Sequence, residues 1–418
     1  MADPKVVVIG AGHAGGAAVG FLRHYGFTGE IVLLGVEPVP PYQRPPLSKA
    51  WLKGEADAEQ LFLKPAAWYG ETGVDLRLGA TVIRIDRSAH RVELAGGETI
   101  GYDRLIIATG ARARRLRAPG AELRQVLALR SMSDGDRLKQ ALAAKGRLVV
   151  VGAGYVGLEV AASARALGVE VTVIEREARV LARVACEPLS AFFDAEHRAN
   201  GVQIELQAGL RAFIGDGQRL TGVELDDGRR LPCDAAVVGI GAIPNDALAA
   251  AAGLLCQDGI EVDLDARTSD PDVYAIGDVT RRPQPLYDCR VRLESVPSAL
   301  EQARQAASAI AGRARPPAET PWFWSDQFDL KLQIAGLPLE CDDLLVRGDP
   351  AARAFALYHL RRGVIRAVEA VNAPADFMMG KQLIANARPV SRDRLLNPAL
   401  SLKEAVAPPE LAASEHQP

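Results

Sequence analysis

Two stretches of the chain share one pattern of hydrophobic and polar positions. KVVVIGAGHAG (Lys5–Gly15) and RLVVVGAGYVG (Arg147–Gly157) each run from a basic residue through four apolar ones into G-x-G-x-x-G. From the first glycine of one copy, Gly10, to that of the other, Gly152, is 142 residues. A short β-branched run closed by glycine predicts a strand buried on both faces, as in a parallel sheet. A helical pattern follows each copy, over Ala17–Tyr25 in the first, and then a second strand: EIVLL (Glu30–Leu34) and VEVTVIE (Val169–Glu175). Residues 76–103 predict a β-meander with a hairpin at Gly96–Gly97, and YDRLIIATGA (Tyr102–Ala111) a strand ending in a tight turn. The second unit begins afresh near Gly146 and closes with CDAAVVGIGAIPN (Cys233–Asn245). From Leu330 the pattern changes to alternating strands (KLQIAGL, FALYHL, IRAVEAV), followed by a helix about Phe377–Ala387. The last dozen residues, rich in Pro, Ala and Glu, predict a disordered tail.

Composition narrows this picture only slightly. A length of 418 residues suggests about three domains of about 150 residues each. A net charge of -3 offers no general attraction for nucleic acid or an anionic membrane. The first strand begins at Lys5, which leaves no leader sequence, and no apolar run is long enough to span a bilayer. The five cysteines are scattered, without a C-x-x-C pair or zinc spacing. That usage fits a cytoplasmic protein with no metal site and no cluster of its own.

The chemistry of the repeated motif follows from its glycines. The first permits the tight turn, the second lets backbone N–H groups approach a pyrophosphate, and the third lets helix and strand pack closely. Two such motifs, each with an acidic residue about 20 positions on, predict two bound dinucleotides. Glu37 and Glu175 are those acids. A carboxylate at Glu175 attracts a ribose diol and repels a 2′-phosphate, which favours NADH over NADPH. In PPYQRPPLSKAWL, Pro45 and Pro46 fit a helix start and hold Arg44 and Lys49 near its end. Asp278 ends the strand VYAIGD, Val296-Pro297 opens the helix SALEQARQAA, and Trp322 and Trp324 alternate onto one strand face. Gly241 in GIGAIPN suits a close backbone approach. Arg112, Arg114, Arg115 and Arg117 are either a solvated face or a positive patch for an acidic partner.

Taken together, the two fingerprints, RPPLSK (Arg44–Lys49), the ATG turn and TSDPDVYAIGDV (Thr268–Val279) resemble the FAD-dependent pyridine-nucleotide disulfide oxidoreductases. Within them the chain is most similar to the NADH-dependent ferredoxin reductases of oxygenase systems, the putidaredoxin reductase group. The resemblance runs through LESVPSALEQAR (293–304), PWFWSDQFDLKLQIAGL (321–337) and the C-terminal region. It implies an α/β fold with two Rossmann-like domains of the glutathione-reductase type and a C-terminal α+β domain. The FAD domain would comprise residues 1–113 and 247–324, the NAD domain 114–246, and the last domain 325–418.

By the same resemblance, Gly10, Gly12, Ala14 and Gly15 receive the FAD pyrophosphate. The family's acidic ribose ligand falls at Val36, which could contribute only its backbone, with Glu37 one step later. Arg44, Val82 and Arg130 match FAD contacts, Lys49 lies by the reactive edge of the isoalloxazine, and Asp278 accepts from the ribityl chain. The positive end of the helix at Val296 faces the flavin pyrimidine, and Trp322 or Trp324 shields the flavin. Gly152, Gly154, Gly157, Glu175, Arg183 and Gly241 hold NADH, and Glu159 lies near the nicotinamide, pairing with Lys49 when no nucleotide is bound. The implied acceptor is a small 2Fe–2S ferredoxin that serves a haem or ring-hydroxylating oxygenase. Disulfide reductases of this superfamily carry a flavin-side cysteine pair, and this chain has no cysteine before Cys186. A self-contained NADH oxidase or monodehydroascorbate-type reductase is the alternative enzyme. A redox-sensing interaction protein resembling apoptosis-inducing factor is the alternative of another class.

Overall fold

Along the strand Lys5–Ile9, Val6 and Val8 face one way and Val7 and Ile9 the other, and both faces are covered. The computed structural model describes residues 4–397 and 399–406, so the predicted tail lies outside the described residues. The chain forms two units. The first runs to Pro45 and takes in Ala56–Arg112 and Ala242–Glu319. The second takes Pro46–Glu55, Ala113–Gly241 and the described chain from Thr320.

In the first unit five parallel strands lie in the order Val273–Ala275, Arg104–Ile107, Lys5–Ile9, Glu30–Gly35, Val74–Leu78. Helices His13–His24 and Val296–Ile310 pack on the face of Val6 and Val8. An antiparallel sheet of Val82–Asp86, Arg91–Leu94 and Thr99–Gly101 brings Ile85, Val92 and Ile100 to the face of Val7 and Ile9. The predicted meander thus begins later than expected, since Val74–Leu78 joins the parallel sheet. As an edge strand it buries fully only Val74, so its alternation reads like that of a half-exposed hairpin.

The second unit repeats the plan. Its parallel order is Gln203–Glu205, Glu170–Ile174, Arg147–Val151, Ala235–Val238, Val126–Leu127. Leu148 and Val150 face the helix side, and Val149 and Val151 face a three-stranded antiparallel sheet of residues 210–232. The same unit contains a five-stranded antiparallel sheet in the order Trp322–Gln327, Leu330–Gly336, Val364–Val371, Ala354–Arg361, Asp343–Asp349, with helix Pro374–Asn386 packed on it.

Local details depart from the sequence pattern in two places. Helix His13–His24 starts inside the fingerprint, because Gly15 lets its first turn sit against the strand. The PPLSKAWL segment is a 3-10 turn at Pro45–Ser48 and one helical turn at Ala50–Lys53, ended by Gly54 at φ 76°. Lys49 sits between them with φ -126° and ψ -107°, which helical backbone does not allow.

His197, in helix Glu187–Ala199, is fully buried. Its Nε2–H donates to Gln327 Oε1 at 2.8 Å, and Nδ1 has no partner among the described residues. Burial holds its pKa below the ordinary imidazole value, against the opposing pull of Gln327 and Asp194. The unfolded chain therefore takes up a proton that the folded chain refuses, and this part of the stability falls as pH drops below about 6.5. His197→Gln should flatten that acid loss, read as urea midpoints at about pH 7.5 and about pH 5.5.

Candidate functional site

The outer glycines of both fingerprints are fixed by the protein itself. Gly10 has φ +112°, and a Cβ there would stand 2.2 Å from Ala108 O, while one on Gly15 would stand 1.9 Å from Gly10 O. In the second copy a Cβ on Gly152 would meet Gly239 O at 2.6 Å, and one on Gly157 would meet Gly152 O at 2.1 Å. The middle glycines differ. Among the described residues nothing lies within 4 Å of where a Cβ on Gly154 would be, and beside Gly12 there is only Arg44 Nη2 at 3.8 Å. Each middle glycine thus keeps a hollow clear at the start of a helix, His13–His24 or Tyr155–Ala166. Among the described residues no side chain caps either helix, whereas Ser131 and Ser295 cap others. Uncapped first-turn amides facing a cleared hollow are what a pyrophosphate requires, so both loops fit a dinucleotide.

Substitutions at the middle glycines should therefore separate binding from folding. Gly12→Ala should leave the melting temperature nearly unchanged but lower the flavin retained on purification. Gly154→Ala should weaken NADH binding about tenfold, the equivalent of about 1.4 kcal/mol, as read by calorimetric titration.

In the first unit, Val36 is exposed and Glu37 turns inward. Glu37 Oε1 pairs with Arg44 Nη2 at 2.6 Å, and its Oε2 accepts from the Tyr42 hydroxyl at 2.7 Å. Burial works against the Arg44 charge, yet Tyr42, Glu37 and Asp278 together hold the guanidinium above its ordinary pKa. His13 enters the same field, although nothing in the sequence marks it beyond its place inside the fingerprint. Burial first, and Arg44 with it, keep its ring below the usual imidazole value against the pull of Asp278. Its buried Nδ1 has no protein partner among the described residues, a second sign of a loop built around a ligand. Asp278 lies in the turn Gly277–Val279, where Gln302 Oε1 accepts from Gly277 N–H at 3.2 Å and from the Thr280 hydroxyl at 2.6 Å. Gln302 belongs to helix Val296–Ile310, so the turn and the helix opened by Val296 are held together. Ala14 is buried under the fingerprint, and Val82 is half-buried at the start of its strand. Arg112 donates to Asn245 Oδ1 at 3.0 Å, which engages one member of the arginine run within the fold.

In the second unit, Glu175 follows the strand Glu170–Ile174. Its Oε2 accepts from Ala153 N–H at 2.7 Å and its Oε1 from Glu177 N–H at 2.9 Å. The carboxylate is thereby tied to the fingerprint loop with lone pairs to spare for a diol. Arg176 turns away, with an exposed side chain 3.5 Å from Glu177. Arg183 Nη2 would lie 3.6 Å from a Cβ on Gly241, so these two are neighbours. Arg130 donates its backbone N–H to Asp134 Oδ2 at 3.2 Å, at the capped start of helix Met132–Leu142.

Lys49 and Arg44, which the sequence places at one helix end, belong to different units. Lys49 Nζ stands 2.7 Å from Glu159 Oε2, and Glu159 is 5% exposed. The Ser48 hydroxyl donates to the same oxygen at 2.6 Å, and the Ser325 hydroxyl donates to Oε1 at 2.7 Å. Gln327 Nε2 then donates to Ser325 Oγ at 3.1 Å, which connects the group to His197. Sequence reasoning missed Ser48, Ser325, Gln327 and His197. Two of them carry a faint signal: Ser325 and Gln327 alternate with the tryptophans, on the strand face opposite to them, and polar residues there need buried partners. Trp322 and Trp324 have ring centroids 5.7 Å apart, and Trp322 also packs on Phe377 at 5.5 Å.

Residues 4–303 match the pyridine nucleotide-disulphide oxidoreductase family, and residues 322–406 match the reductase C-terminal family. The chain is 50% identical over 402 residues to the probable ferredoxin reductase CtmF of Castellaniella defragrans, covering 96% of this chain and 98% of that one. It is 41% identical to putidaredoxin reductase CamA of Pseudomonas putida, covering 97% of each. Among solved structures, the covalent putidaredoxin reductase–putidaredoxin complex matches with a TM-score of 0.94 at 40% identity, over 100% of both chains.

Proposed function

The chain belongs to the pyridine nucleotide-disulphide oxidoreductases, among the ferredoxin reductases, and from that membership we propose that it passes electrons from NADH through FAD to a 2Fe–2S ferredoxin serving an oxygenase. The observation that carries this reading is the pair of fingerprints, each with a middle glycine whose Cβ would meet no backbone of the described residues. The first would hold FAD, with Gly10, Gly12, Ala14 and Gly15 around the pyrophosphate and Glu37, Arg44, Val82, Arg130, Asp278 and Val296 around the rest. The second would hold NADH through Gly152, Gly154, Gly157, Glu175, Arg183 and Gly241. An FAD domain of residues 1–113 and 247–324, an NAD domain of 114–246 and a C-terminal domain from 325 accord with this division of labour.

FAD held by the first fingerprint would supply acceptance of a hydride from the nicotinamide and release of its electrons one at a time. The chain supplies charge and orientation. Lys49 contributes a fixed cation that favours added electron density on a neighbouring ring. Glu159, anchored by the hydroxyls of Ser48 and Ser325, holds that cation in place. Glu175 selects the unphosphorylated ribose. No cysteine precedes Cys186, so electrons have no dithiol to enter on the way and pass to an external carrier.

Among the described residues no helix is long and apolar enough to cross a membrane, and all five cysteines are free thiols. A cytoplasmic enzyme agrees with that thiol content.

Turnover with and without a carrier tests the proposal. NADH oxidation in air should be slow with the enzyme alone and rise at least about tenfold when a 2Fe–2S ferredoxin and cytochrome c are added. Equally fast oxygen consumption without the ferredoxin would mark a self-contained oxidase instead.

A further inference from the structure

Away from both nucleotide loops, three side chains from distant parts of the second unit converge. Cys186 is the residue before helix Glu187–Ala199. His359 and Glu369 lie on the paired strands Ala354–Arg361 and Val364–Val371. There His359 is opposite Ala367 and Leu357 is opposite Glu369, so the two are diagonal neighbours on one face. Sulfur, nitrogen and oxygen donors of the three all lie within 4.8 Å of one another.

Two features of this cluster are unusual for plain packing. Glu369 is 1% exposed, and among the described residues its partners are the Cys186 thiol at 2.7 Å, the Cys186 N–H at 3.2 Å and the His359 ring at 3.3 Å. Among the described residues no lysine or arginine pairs with it, although a buried carboxylate is costly without a cation. His359 is 7% exposed, and its Nε2 points at this group without making a hydrogen bond to any described residue. An imidazole nitrogen without a hydrogen bond, beside a carboxylate with no fixed cation near it, describes a site short of one positive centre.

We propose that Cys186, His359 and Glu369 bind one divalent transition-metal ion of the zinc class, through thiolate sulfur, imidazole Nε2 and carboxylate oxygen. The donor set decides the metal class. Thiolate and imidazole suit zinc and cobalt, whereas magnesium and calcium take oxygen donors. Metal–ligand bonds of about 2.0–2.3 Å fit donors this close together, and three protein ligands leave one tetrahedral position for water. Binding replaces the thiol proton with the metal and releases that proton to solvent, and the thiolate and carboxylate together neutralise the ion. The site fastens the start of helix Glu187–Ala199 to the antiparallel sheet. Sequence spacing does not reveal it, since its ligands lie at positions 186, 359 and 369.

The test uses the flavin-loaded enzyme, treated with chelator and dialysed against Zn2+ or Co2+. The expected result is one metal per chain, a raised melting temperature, and a cobalt X-ray absorption shell containing one sulfur. Cys186→Ser and His359→Gln should each weaken binding at least about tenfold. Cys256→Ser, which changes another half-buried thiol, should bind like the parent. An unaltered flavin spectrum and unaltered reduction by NADH would establish that each variant is folded. Absence of stoichiometric metal in the parent, a shell of nitrogen and oxygen only, or undiminished binding by both Cys186→Ser and His359→Gln would overturn the proposal.

Discussion

Lys49→Ala should slow the reduction of bound flavin by NADH about a hundredfold and also destabilise the protein by about 2–3 kcal/mol. Both effects have one origin. Glu159 is 5% exposed, and Lys49 Nζ at 2.7 Å is the cation paired with it. Removing the ammonium leaves a buried carboxylate held, among the described residues, by the hydroxyls of Ser48 and Ser325. Breaking a buried pair costs about 3–5 kcal/mol; the lower figure here allows for those hydroxyls and for the partial exposure of Lys49. Urea denaturation reads the stability and anaerobic stopped-flow absorbance reads the rate. The double variant Lys49→Ala/Glu159→Gln separates the two effects, because the neutral amide no longer needs a cation. It should regain most of the lost stability while the rate stays low. A double variant that recovered the rate as well would show that Lys49 acts only by stabilising the fold.

Glu175→Ala should raise the KM for NADH by about 10- to 100-fold and leave kcat much less changed, as expected from losing hydrogen bonds of about 1.5–3 kcal/mol to a charged group. The carboxylate does two things. It accepts from Ala153 N–H at 2.7 Å, which sets the loop between Gly152 and Gly154, and it offers its remaining lone pairs to a ribose diol. Activity with NADPH should fall less than activity with NADH, since the repulsion of a 2′-phosphate disappears with the charge. Steady-state kinetics with both nucleotides would check this. A preference for NADH that survives the substitution undiminished would move the selectivity to another residue.

The parallel strands at Lys5–Ile9 and Arg147–Val151 were readable because burial on both faces produces continuous apolar runs. Val74–Leu78 was not, since an edge strand buries little and its alternation mimics a hairpin. The fingerprint glycines could be read as a turn, an approach and a packing contact. What separates Gly12 and Gly154 from their neighbours is open space, which arises only in the folded chain. Lys49 and Glu159 were legible as a cation and an acid with family counterparts. Ser325, Gln327 and His197 were not, because residues so far apart in the chain become neighbours only through the packing of strand Trp322–Gln327 in its own unit. The Cys186, His359 and Glu369 cluster was hidden for the same reason. In that case no pattern in the strands distinguishes a buried glutamate from an exposed one until both faces of the sheet are known.

One anaerobic titration tests the central claim most directly. The purified protein should be yellow and should bleach with one equivalent of NADH per chain, because one hydride carries the two electrons that one flavin accepts. Its colour should then return as oxidised 2Fe–2S ferredoxin is added, with two ferredoxins reduced per chain. A protein that is colourless and takes up no FAD, or a yellow one whose absorbance NADH leaves untouched, would contradict the account.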